Sequence, residues 1–349
     1  MKNFFIIVPL TILFLISYLV FVYPFDVVTS WIGYQTSFLE SLITSIIVFF
    51  VCLYYLRSKS SNKFLKTFVY EGVGIGSLSL LIVLGINIIN YFFPISDFNK
   101  MISYGCLLSI LLVYGYWNAK NLSIKSINFT SPLIKKSKKF VFISDIHIGS
   151  NSPKTLLNIV KYIQKLKPEF VLIGGDLFDS SSFKIQDVEV LKNLEFPIYF
   201  VTGNHEYYVK NHLSHLNNLH SLGVKILDNQ SLQLDEINLI GISDNQSRDQ
   251  KISIFESLYN KNLFNLLLVH QPSIWQKVRD RANLMLSGHT HNGQIFPFNL
   301  MVRLQFPEKY GRYSYLNNEL YVSSGAATWG PKLRIGSNNE IVEINLKAS

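Results

Sequence analysis

The sequence predicts two unlike parts: a four-helix membrane region and, after it, a mixed α/β domain. Three observations carry this. Four long apolar runs crowd into the first 117 residues. From about residue 138, short strand-like runs alternate with amphipathic helical stretches. Charged residues make up only 16% of the 349-residue chain, and hydrophobic ones 48%. An ordinary globular domain carries about 25% charge, and the shortfall lies in the first third.

The apolar runs cover residues 4–25, 42–56, 68–93 and 101–117. A membrane helix needs about 20 apolar residues, with ~17 as the lower edge. The second and fourth runs are therefore expected to extend by a few residues at their ends. Buried core helices would be amphipathic, and these runs are apolar on every side. Tyr18, Tyr23, Trp31, Tyr54, Tyr55, Tyr91 and Trp117 sit near the run ends, as interfacial aromatics do. Gly72 and Gly76 offer one small-xxx-small pair for close helix contact. No small-x-small cleavage site follows the first run, so it is expected to be retained. Glu71, near Lys66, is expected at the membrane interface.

Orientation is read from Lys and Arg. Lys2 precedes the first run. Asp26 and Glu40 follow it without a basic residue between the runs. Arg57, Lys59, Lys63 and Lys66 follow the second, and Asp97 and Lys100 the third. Lys120, Lys125, Lys135, Lys136, Lys138 and Lys139 follow the fourth. Positive loops stay cytoplasmic. Both termini and the second part are thus expected on the cytoplasmic face of the cell inner membrane. The net charge of +9 is taken as this topology signal, and no nucleic-acid partner is expected. Cys52 and Cys106 lie inside apolar runs and give no disulfide framework.

Residues 118–137, rich in Ser, Asn and Lys, read as a basic linker, and 138–349 as the second domain. Buried strands are expected at 140–143, 170–173, 198–201, 266–269 and 284–286. Further strands are expected at 224–227, 231–234, 238–242, 320–323 and 340–344. Between them, Leu156, Leu157, Val160 and Ile163 fall at helical spacing. Strands alternating with helices argue for an α/β sheet.

Five short segments follow strand-like runs. They are Asp145-Ile146-His147, Gly175-Asp176, Gly203-Asn204-His205-Glu206, His270 and Gly288-His289-Thr290-His291. Carboxylate, amide and imidazole groups suit hard and borderline divalent metals. Open α/β sheets gather such groups beyond the carboxyl ends of their strands. The combination points to a two-metal centre and metal-assisted phosphoester hydrolysis.

The ordered set DIH, GGD, GNHE, VHQP and GHTH resembles the calcineurin-like metallophosphoesterase family, over roughly residues 138–346. The resemblance implies a four-layer α-β-β-α sandwich and two divalent metal ions, Mn²⁺ first, with Fe²⁺ or Zn²⁺ as alternatives. It implies that Asp145, His147 and His291 hold one ion, that Asn204, His270 and His289 hold the other, and that Asp176 bridges both. His205 is left to steady the transition state or protonate the leaving oxygen. Glu206 is expected to orient a neighbouring histidine, and Asp179 to do likewise or, by preference, to cap the next helix. His212 and His215 lie outside the pattern and read as one exposed helix face.

Segment 296–306 is apolar for a stretch beside such a centre. Phe298 and Met301, with Arg303 and Arg312, are read as a membrane-facing lip that meets acyl chains and phosphates. A core hairpin is the alternative. Membrane-tethered members of the family include UDP-2,3-diacylglucosamine pyrophosphatases of lipid A synthesis. The chain resembles that type, which implies a lipid or nucleotide–lipid substrate and release of UMP with 2,3-diacylglucosamine 1-phosphate. The alternatives are a phosphodiesterase acting on another phospholipid or nucleotide, a non-catalytic membrane scaffold and, last, a transporter.

Overall fold

A computed structural model describes residues 10–58 and 62–348. Lys2, Lys59 and the start of run 4–25 lie outside the described residues. The chain divides into two compact units, Met1–Trp117 with Gly330–Leu333, and Asn118–Trp329 with Arg334–Ser349.

The first unit holds four helices long and apolar enough to cross a membrane: Leu10–Trp31, Phe38–Ser58, Lys63–Phe92 and Asp97–Lys120. The second and fourth, short as apolar runs, extend to 21 and 24 residues as helices. Few of their large side chains are buried; Phe25, Ile47, Ile88 and Val113 all face outward. A lipid-exposed helix surface looks like this, because hydrocarbon is its solvent. Gly72 and Gly76 lie where the first helix meets the third. A Cβ on either would run into Phe21 or the Val20 carbonyl. The Glu71 carboxylate accepts a 2.8 Å hydrogen bond from the Tyr116 hydroxyl.

The second unit contains twelve strands among the described residues: β1 (Leu122–Ser131), β2 (Lys138–Ile143), β3 (Val171–Ile173), β4 (Ile198–Phe200), β5 (Val224–Ile226), β6 (Gln230–Leu234), β7 (Ile237–Ile242), β8 (Phe264–Val269), β9 (Leu284–Ser287), β10 (Gly311–Tyr315), β11 (Asn318–Val322) and β12 (Asn339–Ala348). They form two six-stranded sheets, in the orders β1-β12-β2-β3-β4-β5 and β10-β11-β9-β8-β7-β6. Strands β2 to β5 run parallel, as do β7, β8, β9 and β11.

Side-chain alternation builds the layers. Phe140 and Phe142 of β2 join Leu266 and Leu268 of β8 in one core between the sheets. Val141 and Ile143 face the other way, against Leu156, Ile159 and Ile163 of helix Pro153–Leu166. Leu267 and Val269 pack on Phe255 and Trp275 of the helices covering the second sheet. Successive residues of a strand point to opposite faces, so two apolar faces per sheet give helix, sheet, sheet, helix. This is the four-layer arrangement the resemblance implies.

One expectation is corrected. Residues 118–137 are not a plain linker, because β1 occupies Leu122–Ser131 and pairs in parallel with β12 along ten residues. Ile127 and Phe129 are buried, whereas Ser123, Ser126 and Asn128 face solvent. An edge strand with one wet face reads as polar sequence.

Candidate metal centre

Each of the five motif segments begins just past a strand end. Asp145 and His147 follow β2, Asp176 follows β3, Asn204 follows β4, His270 follows β8, and His289 and His291 follow β9. Turning a short loop sharply enough to face the sheet ends strains the backbone. Asp145, His147, Asp176, His289 and His291 all have positive φ, between 48° and 72°. Left-handed backbone is costly outside glycine and persists where surrounding contacts enforce it. Gly175 (φ 93°) has no room for a side chain, since a Cβ would sit 2.6 Å from His270 Nδ1.

The side chains converge in two groups. In the first, His291 Nε2 lies 3.1 Å from His147 Nε2 and 3.5 Å from Asp145 Oδ1. In the second, His270 Nε2 lies 3.2 Å from Asp176 Oδ2, from Asn204 Oδ1 and from His289 Nδ1. Asn204 Oδ1 is 3.0 Å from His289 Nδ1. Asp176 Oδ2 is also 3.7 Å from His147 Nε2, which joins the groups. Ligands bonded to one cation at 2.0–2.2 Å stand roughly 3–3.5 Å apart. The donor spacing therefore fits shared cations. His270 Nδ1, 2.8 Å from the Gly174 carbonyl, is placed to donate there, which turns Nε2 inward toward the cluster, as in ligating histidines. The seven side chains expected as ligands are thus together, and His205 stands beside them, with Nε2 4.0 Å from Asp176 Oδ2.

Charge and burial set the protonation pattern. Burial, with His270 and its charge beside it, pulls His289 down to about 3. Burial likewise pulls His205 down to about 4, against the attraction of Asp176. Burial and His147 hold His291 well below its ordinary value. His270 goes the other way: burial lowers it, but the Asp176 carboxylate outweighs burial and raises it well above.

The neighbours hold the loops. Glu206 does not orient a histidine. Its carboxylate accepts backbone N–H bonds from Gly203 (2.8 Å), Asp176 (3.0 Å) and Phe178 (3.1 Å), which fixes the loop carrying Asp176. Burial and the Asp176 charge push Glu206 up to about 8, against these donors. Asp179 accepts from the Ser150 N–H at 2.7 Å and faces His147 Nδ1 at 3.4 Å, so of its two expected roles its contacts are those of a histidine support and not of the preferred helix cap. His215 edges onto Phe178 and Phe183, and His212 onto Tyr207, so they do not form one exposed face. Arg334 escaped the sequence reading. It is fully buried and donates to the carbonyls of Ser324 (2.7 Å) and Ala327 (2.8 Å), behind His291. A lone Arg in KLRIGS matches no spacing that would have flagged it.

Segment 296–306 is not a core hairpin. It contains helix Phe298–Gln305, in which no residue is buried. Met301 and Arg303 are exposed and Phe298 is half-buried. Arg312 sits on β10, ion-paired with Glu319 and over the Phe129 ring, 4.8 Å from its centroid. Its guanidinium is engaged within the fold and does not join the cluster.

Two α/β sheets with clustered carboxylates, imidazoles and an amide at their strand ends define a metal-dependent phosphoester hydrolase. Residues 138–293 match the sequence model of the calcineurin-like phosphoesterase family. An uncharacterized metallophosphoesterase of Campylobacter jejuni is 36% identical over 256 residues, covering 69% of this chain and 68% of its own. One from Helicobacter pylori is 34% identical over 266 residues, covering 72% and 71%. A transmembrane protein with metallophosphoesterase domain from Danio rerio is 32% identical over 268 residues, covering 69% and 61%. The chain belongs to the calcineurin-like phosphoesterase family, and its four apolar helices associate it with a membrane.

Proposed function

We propose that the protein hydrolyses the pyrophosphate of a nucleotide-linked membrane lipid, UDP-2,3-diacylglucosamine, to UMP and 2,3-diacylglucosamine 1-phosphate in lipid A synthesis. One observation carries the lipid part of this reading. A chain with four membrane-length helices also has an exposed apolar helix whose following residue, Phe306, packs on His289, ring centroids 5.1 Å apart. In this reading Asp145, His147 and His291 hold one cation, Asn204, His270 and His289 the other, and Asp176 both. Mn²⁺ is the first choice, ahead of Fe²⁺ or Zn²⁺. Bound there, the two cations would neutralise phosphoryl oxygens and acidify water for attack.

The chain's own residues do the rest. His205, mostly buried beside Asp176, is placed to steady the transition state or to hand a proton to the leaving oxygen. Glu206 and Asp179 keep Asp176 and His147 in place. Met301, Phe298 and Arg303 form the lip that meets acyl chains and headgroup phosphate. The Lys and Arg bias supports an inner-membrane location with a cytoplasmic site. A second reading has one specific support. The relatives in zebrafish and cattle favour a phosphodiester on a more widespread membrane lipid. A non-catalytic scaffold is disfavoured by the complete ligand set.

The test is hydrolysis of UDP-2,3-diacylglucosamine by the detergent-purified protein with Mn²⁺, alongside Asp176→Asn. UMP release by the native protein alone supports the assignment. No UMP, with Asp176-dependent cleavage of a generic phosphodiester, removes this substrate and keeps the enzyme class.

A further inference from the structure

Helix Phe298–Gln305 is an oddity on a water-soluble surface. Its apolar side chains do not pack inward: Leu300 is 57% exposed, Met301 65% and Leu304 87%, with Phe296 just before it at 51%. Single exposed apolar residues need no explanation, but a contiguous patch does. Leu300, Met301 and Leu304 form one stripe, because 300 and 304 are spaced by four and 301 lies three before 304, so they share a helix face; Phe296 adds exposed apolar surface just ahead of the helix.

The helix is held out rigidly. Phe296 N–H bonds the Ile335 carbonyl at 2.8 Å, and Phe298 N–H the Ile295 carbonyl at 2.8 Å. Beyond the helix, Phe306 is buried and its N–H bonds the Val302 carbonyl at 2.8 Å. Thr290, inside the GHTH segment, donates its hydroxyl to the Lys309 carbonyl. The stripe is therefore fastened to the metal cluster at its C-terminal end.

The helix itself carries positive charge only. Within the helix the one charged residue is Arg303, exposed beside the stripe, and no Asp or Glu lies between His289 and Pro307; Glu308 and Lys309 follow as an opposite-charge pair. An apolar stripe with a cation beside it is the pattern of helices that lie in a lipid headgroup layer. Eight residues make a helix of about 12 Å, too short to cross a bilayer and suited to lying along one. The chain also has its own membrane helices, so a bilayer is always at high effective concentration, and a contact too weak to bind alone would still form.

We infer that this stripe docks into the headgroup layer of the membrane the protein inhabits. Docking holds the metal cluster at headgroup depth. The substrate class is then a phosphodiester or pyrophosphate whose lipid part stays in the bilayer. The docking stands on the stripe itself; the substrate class rests on the lipid reading above.

The experiment uses the full chain in lipid nanodiscs, with Cys52 and Cys106 replaced by Ser and an environment-sensitive fluorophore on Leu304→Cys. Nanodiscs with brominated acyl chains should quench this probe. A probe on Ser221→Cys, exposed on another part of the unit, should not be quenched. An unquenched probe at 304, or equal quenching at both positions, overturns the proposal. In parallel, Leu300→Asp with Leu304→Asp should lower kcat/KM for a bilayer-borne substrate by about tenfold or more, and leave a water-soluble chromogenic diester within about twofold. Equal loss on both substrates counts against docking. Quenching at 304 without hydrolysis of any lipid keeps the docking and removes the lipid-substrate reading instead.

Discussion

Replacing Glu206 probes the frame behind the cluster. Its Oε2 accepts the N–H of Gly203 and of Asp176, and its Oε1 accepts that of Phe178. In Glu206→Gln the amide oxygen can serve the first two donors, and the NH₂ group must then face the Phe178 N–H. One buried donor is orphaned, which costs about 1–3 kcal/mol. Glu206→Ala orphans three, roughly 3–9 kcal/mol if they add, against the ~5–15 kcal/mol that holds a domain together. The alanine variant should thus melt far below the glutamine variant, and both below the native protein. Because the loop carries Asp176, displacement should also weaken metal binding by about 10- to 100-fold, the usual effect of losing an outer-shell support. A thermal melt followed by tryptophan fluorescence and a Mn²⁺ titration by calorimetry measure the two effects. The reasoning is refuted if the glutamine variant matches the native protein in both, or if the alanine variant melts with the glutamine one.

Three further outcomes are expected. His205→Ala should lose about 10²- to 10⁴-fold in kcat, as proton-transfer residues do, and keep its metal content; loss of metal would make His205 a ligand instead. Metal-free His270 is raised well above its ordinary value by Asp176, so at pH 7 it holds a proton that a cation must displace. Mn²⁺ affinity should therefore rise with pH until the folded value of His270 is passed, and then level off. Calorimetry in buffers of different ionisation enthalpy should show proton release, and a buffer-independent heat would contradict this. Gly175→Ala, forced against His270 Nδ1 at positive φ, should abolish metal binding, read by elemental analysis; normal loading would show that the loop yields.

The convergence of the seven candidate ligands was legible because each follows a buried β-strand whose residues carry an unbroken apolar signal, such as Phe140 to Ile143. Helix Pro153–Leu166 was legible from its spacing. β1 was not, because its partner β12 is more than 200 residues away in sequence (Leu122 opposite Asn339) and its apolar phase slips between Ile124 and Ile127. Segment 296–306 carries apolar residues for a surface rather than a core, and composition alone cannot tell these apart. The roles of Glu206 and Asp179 depend on backbone N–H groups, to which side-chain motifs are blind. Arg334 gives its hydrogen bonds to carbonyls from three loops, a role no local pattern announces.

The most direct measurement is metal content with hydrolysis of a soluble phosphodiester, made on the native protein and on Asp176→Asn. Among the described residues, Asp176 Oδ2 is the carboxylate oxygen near both histidine groups, 3.2 Å from His270 Nε2 and 3.7 Å from His147 Nε2. The native protein should bind two ions per chain and turn over; the variant should lose at least one ion and its activity together. A variant that keeps two ions and native turnover would contradict the two-metal account.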